Sequence, residues 1–191
     1  MRRSGNDVEE KITELHLQTT AYLSEIRKWV DELHHPDRLN IISYFTYSLD
    51  ISHDSAQESL CLGSYHISNR GNRPITNPYV CIKLPEQSPF SFSGKYVYEN
   101  FQQRLKSPGG WQRINEKENK EEFWLKPLGK RSIEPNETLS FSDFQIKWNP
   151  TPSYAGSIMG FTYSDELKDG IAVLNPINLS GSISKQEAKD E

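Results

Sequence analysis

The sequence predicts a mainly β protein, an antiparallel β-sandwich preceded by one long amphipathic, coiled-coil-like helix. Three observations predict it. Residues 8–35 repeat apolar side chains at helical spacing. From Leu39 onward apolar and polar residues alternate with a period of two. Turn signals built from Gly, Pro and Asn divide that later region into short runs.

The helix is read first. Asn6 or Asp7 offers an N-cap, with Glu9 or Glu10 three residues on as its capping-box partner. His34, His35 and Pro36 mark the other end, because imidazoles suit the negative end of the dipole and proline disfavours helix at the residue before it. The apolar positions are Val8, Ile12, Leu15, Thr19, Tyr22, Ile26, Trp29 and Leu33. Their steps alternate between four and three, an a/d heptad seam. Leu23 and Val30 widen the stripe to a third column. A stripe that broad suits a bundle of helices or a helix laid on its own domain. Of the two, self-association is the expectation, because an exposed apolar stripe is normally an interface. Val8, Ile12, Leu15, Tyr22, Ile26, Trp29 and Leu33 are the candidate oligomerisation residues.

The domains predicted are residues 1–36 for the helix, 37–184 for the sandwich and 185–191 for a charged, disordered tail. "LNIISYFTYSLDIS" alternates Ile41, Ser43, Phe45, Tyr47, Leu49 and Ile51 on one face and is the first strand. "SLCLGSYHISN" is the second, closed by a turn at Asn69–Asn72 in which Gly71 is free to adopt positive φ. "PITNPYVCIKLP" is the third, with Pro74 and Pro78 moving its start to a sheet edge or a bulge. "FSFSGKYVYENF" follows, then a short helix around Phe101–Leu105 and a loop at Ser107–Gly110. The charged stretch Asn115–Glu122 is a solvated turn between Trp111–Ile114 and Phe123–Leu125. In "IEPNETLSFSDFQIKW" the alternation Leu139, Phe141, Phe144, Ile146, Trp148 slips once, which places a bulge near Ser142-Asp143. "SIMGFTYSDE" and "GIAVLNPINLSGSIS" are the last two of roughly eight strands, the number of a sandwich.

The run "YHISNRGNRPITNPYVCIKLP", followed by "IEPNETLSFSDFQIKW", resembles the immunoglobulin-like β-sandwich modules of bacterial repeat adhesins. In those a strand ends in an asparagine-glycine turn, and a proline-containing turn introduces a late strand. The resemblance covers about half of the β region. It implies an immunoglobulin-like fold and brings no catalytic residues with it. The chain departs from that class in holding one copy of the module and in lacking a secretion signal.

Composition narrows the function. Net charge is −4 and the pI is near 5.8, without the basic stripe a nucleic-acid footprint needs. Met1-Arg2-Arg3 and Lys126–Arg131 are the only basic clusters, read as solvated ends or turns. There is no apolar signal-peptide core and no membrane-length apolar run, so the expected location is cytoplasmic. The sequons at Asn136 and Asn178 are then incidental. Both cysteines, Cys61 and Cys81, sit in apolar β runs and are expected to be buried and reduced.

No motif fixes a reaction. His34 and His35 are adjacent, about 100° apart on a helix, and His16, His53 and His66 lie in no metal-ligand spacing. His53-Asp54 reads as the end of a strand. The carboxylate pairs Glu121-Glu122 and Asp165-Glu166 lie in polar turns, and no nucleophile, P-loop or dinucleotide fingerprint is present. The expectation is no enzyme, no cofactor and no metal. The function predicted is an interaction or assembly module that forms homo-oligomers through its helix and binds another protein. The alternative is a carbohydrate- or small-ligand-binding sandwich using the aromatics Tyr96, Tyr98, Trp111 and Trp124. An unrecognised hydrolase is the third reading.

Overall fold

A computed structural model describes residues 3–34, 39–54, 57–98, 110–150 and 153–182, with helix side chains described from Glu9 to Asp31. The chain divides into two compact units, Met1–Arg38 and Leu39–Glu191. The expected helix at Phe101–Leu105, the loop at 107–109 and the charged tail lie outside the described residues.

Helix α1 runs Arg3–His34. It starts a turn before the expected cap at Asn6 or Asp7, which therefore lie inside it. A capping preference contributes about 1 kcal/mol and does not fix a terminus to within a turn. Polar residues within the helix satisfy themselves locally. Thr13 Oγ1 donates to Glu9 O, Thr19 Oγ1 to Leu15 O and Thr20 Oγ1 to His16 O at 2.7–2.8 Å.

Thirteen strand segments follow among the described residues. They are β1 Ile41–Asp50, β2 Ser59–Asn69, β3 Ile75–Thr76, β4 Tyr79–Lys83, β5 Ser91–Ser93, β6 Tyr96–Tyr98, β7 Trp111–Arg113, β8 Glu122–Pro127, β9 Ser132–Ile133, β10 Thr138–Trp148, β11 Ser153–Tyr163, β12 Ile171–Ala172 and β13 Ile177–Ser182. One sheet has the order β1-β2-β10-β5. The other has the order β12-β11-β4-β8-β7-β6, with β13 also on β11, and β3 pairs with β9. Pairing is antiparallel except between β6 and β7. The chain is a mainly β sandwich with one N-terminal helix, as its alternation predicts.

The count exceeds eight because three expected strands are broken, at 77–78, 94–95 and 173–176, and because Ser132–Ile133 forms a short strand ahead of β10. Asn77 takes φ 47° before Pro78 and separates β3 from β4. The stretch 173–176, which ends in Pro176, separates β12 from β13. With Pro78 left outside the strand, Tyr79–Lys83 pairs on both sides, so β4 is interior and not at an edge. Gly71 does not take positive φ. The turn is held instead by Asn69, whose Oδ1 accepts from Gly71 N at 3.0 Å and whose Nδ2 donates to Arg73 O and Ile133 O. The slip in β10 is a true register shift between Phe141 and Phe144, with Asp143 at φ 59°.

The core lies between the two sheets. Phe45, Tyr65, Ile67, Phe144 and Ile146 from one face Val80, Ile82, Leu125 and Ile158 from the other. Ser43 Oγ lies 2.7 Å and Tyr65 OH 2.8 Å from Thr162 Oγ1, and all three residues are buried. Burial pushes the Tyr65 phenol up to about 12. Thr162→Val keeps the shape and removes the shared partner, so urea denaturation should show a loss of about 1–3 kcal/mol.

Cys61 and Cys81 are buried free thiols. Desolvation pushes Cys61 up to about 11 and Cys81 up to about 12. Neither should react with a thiol reagent at pH 8 in the folded protein, and both should react in denaturant. Fast labelling of either in native buffer would contradict this burial.

Candidate functional site

Two surfaces carry the candidate residues. The first is the α1 stripe. Ile12, Leu15, Tyr22, Leu23, Ile26, Trp29 and Val30 are between 43% and 66% exposed. Ile12, Leu15, His16 and Thr19 stand at i, i+3, i+4 and i+7, the four corners of a hole that receives a side chain from a facing helix. With Thr20 and Leu23 they line a groove of about 330 Å³. Val8 and Leu33 hold seam positions in the sequence, but their side chains lie outside the described ones.

The second surface is the sandwich. Tyr96 and Tyr98 are half-buried on β6 with rings edge to face at 5.8 Å. Their strand pairs with β7, setting Tyr96 beside Trp111 and Tyr98 beside Arg113. Trp111 corrects the sequence reading. It is 3% exposed, packs edge-on against Phe141 at 5.4 Å, and donates from Nε1 to Ser140 O. The Pro-Gly-Gly before it marks a loop, but Trp111 already belongs to β7 and takes that strand's inward position.

Trp124 lies elsewhere, on the outward face of β8. Its neighbours are Tyr79 and Tyr163, centroids 6.1 and 5.2 Å away. Tyr79 and Tyr163 are directly opposite in the β4–β11 ladder and stack at 5.1 Å and 10°. Local sequence does not show that register and marks neither tyrosine. The Trp124 Nε1 donates to Glu122 Oε2 at 3.0 Å, and Lys83 Nζ lies 3.3 Å from Oε1. The indole N–H, with the lysine, holds the Glu122 carboxyl below its usual range.

The basic run Lys126–Arg131 does more than turn. With Asn77, Pro78 and Gln112 it lines a cleft of about 390 Å³. Lys130 pairs with Glu137. His53 is exposed, whereas His66 stacks on Tyr44 at 4.9 Å and has both ring nitrogens on hydroxyls, Thr46 Oγ1 and Ser140 Oγ. Among the described residues no group of three His, Cys, Asp or Glu stands where it could hold a metal ion. No described helix is long and apolar enough to cross a membrane.

No protein-family model and no curated protein sequence matches the chain. Among solved structures it is similar to a carbohydrate-binding module of a cellulosomal cellobiohydrolase from Clostridium thermocellum. That likeness has 12% identity and a TM-score of 0.38, over 69% of this chain and 96% of the module. It is also similar to a cohesin module of a family 33 glycoside hydrolase from Clostridium perfringens, at 8% identity and a TM-score of 0.39, over 75% of this chain and 98% of that one.

Proposed function

We propose that this protein is a non-enzymatic interaction or assembly module that self-associates through α1 and so displays more than one copy of its β-sandwich to a protein partner. One observation carries the reading. The a/d seam and its third column leave seven large apolar side chains of α1 at least 43% exposed. In water such a stripe gains about 25 cal/mol per Å² of apolar surface covered, and the hole-forming spacing of its groove suits a helix as the cover. Linking several sandwiches raises effective affinity for a repeated partner without any new contact.

Light scattering on the full chain tests it. The expected mass is a multiple of 22.0 kDa. Leu15→Glu with Ile26→Glu should reduce it to a single chain with unchanged β circular dichroism, because two charges per helix would have to be desolvated in the seam. A monomeric unsubstituted chain would sink the reading.

A further inference from the structure

We propose that α1 pairs antiparallel with α1 of a second copy of this chain, in the register that sets Ile12 opposite Trp29, Leu15 opposite Ile26 and Thr19 opposite Tyr22. This rests on the self-association reading and goes on to its geometry. The heptad assigns Ile12, Thr19 and Ile26 to a, and Leu15, Tyr22 and Trp29 to d.

Size matching comes first. A parallel pair stacks each seam residue on itself. Trp29 would meet Trp29 and Tyr22 would meet Tyr22, while Thr19 would meet Thr19. Two layers would be overfilled and one underfilled, and interiors tolerate neither. The antiparallel register alternates large with small. Thr19 has its hydroxyl bonded back to Leu15 O, so its methyl is what remains to meet the ring of Tyr22. The α1 groove runs from Ile12 to Leu23, and the proposed register sets it against residues 18–29 of the second copy. That partner stretch holds the large side chains Tyr22, Ile26 and Trp29. Head-to-tail pairing brings the groove of one copy to the large side chains of the other, twice over.

The flanking columns give an independent argument. The e positions are His16, Leu23 and Val30, and the g positions are Lys11, Gln18 and Glu25. In a parallel pair each g packs beside an e of the other helix. Leu23 would lie beside Gln18, Val30 beside Glu25, and the basic Lys11 beside His16. In an antiparallel pair e meets e and g meets g. One edge then gathers Leu23 and Val30 of both copies, with His16 of each on the same edge. The other edge is polar and runs the Lys11 end of one column toward the Glu25 end of its partner, where opposite charges attract.

Cysteine pairing reads the orientation directly. Two full-length proteins, Thr19→Cys and Tyr22→Cys, are distinguished by an isotopic mass label, mixed in reductant, equilibrated and oxidised with oxidised glutathione. The native thiols, 0% and 2% exposed, contribute little background. Disulfides joining a Thr19→Cys chain to a Tyr22→Cys chain should exceed the share that random pairing gives, because only these positions face each other at bridging distance. A predominance of like-with-like disulfides overturns the antiparallel arrangement. No intermolecular disulfide at all overturns it too. Light scattering on the unsubstituted chain separates the two ideas. An oligomer with like-with-like disulfides leaves self-association standing and removes the orientation, whereas a monomer removes both.

Discussion

Phe144→Ala should cost the sandwich about 3–5 kcal/mol of unfolding free energy, the range for truncating a buried aromatic ring. Phe144 is fully buried and touches three other rings, with centroids 5.8 Å away at Phe45, 5.4 Å at Phe92 and 6.2 Å at Phe141. It reaches that position only because of the bulge. Two residues lie between Phe141 and Phe144, and strict alternation would send the second ring to solvent. The extra residue restores it to the core side. Room for the ring comes from Gly63 across the ladder, where an added Cβ would fall 2.5 Å from the ring's Cζ. Gly63→Ala should therefore also destabilise. In a Phe144→Leu background its cost should fall, since the smaller side chain vacates the space the methyl needs. Urea denaturation of the two single variants and the double variant measures this coupling. Additive losses would mean that the glycine is not there to make room for the ring.

Much of this architecture is legible in the sequence because it is local. The α1 seam repeats at a fixed spacing, and the Phe141–Phe144 slip is visible as a missed beat in an alternation. What the sequence hides is pairing between distant segments. Tyr79 and Tyr163 stack because β4 and β11 are neighbours in one register, and nothing near either residue records that. Trp111 is misplaced for a related reason. Glycines before it signal a turn, and only the β7–β8 ladder shows that the turn has ended. In the sequence Asn69 is one residue of a turn. Its amide also reaches Ile133 O, tying that turn to β9 from across the sequence. The candidate surfaces divide the same way. The helix stripe is periodic and legible in the sequence, whereas the ring cluster of Tyr79, Trp124 and Tyr163 depends on tertiary pairing and is not.

Arg113→Ala should produce the second large loss, about 2–4 kcal/mol on the scale of charge-assisted hydrogen bonds. Its sequence context, between Gln112 and Ile114, gives no sign of this. Arg113 lies on the inward face of β7 with Trp111 and is 4% exposed. Its guanidinium sits 4.4 Å over the Phe123 ring. Nε donates to Asn115 Oδ1 at 3.0 Å, and Nη2 donates to Glu116 O, Asn119 O and Glu122 O. One side chain thereby holds three carbonyls of the 115–122 turn, whose only other internal ties are Asn115, Asn119 and a long Asn119 N to Glu116 O bond among the described contacts. The stretch that composition marks as a solvated turn is thus built around a buried cation. Arg113→Lys keeps the charge but loses the planar fork, so it should recover only a minor part of the loss. Removing the fork frees the turn as well as weakening the fold. Trypsin should then cut after Lys117 and Lys120 faster in Arg113→Ala, under conditions where both variants remain folded by circular dichroism. An unchanged cleavage rate with full stability would show that the turn holds its shape without the arginine.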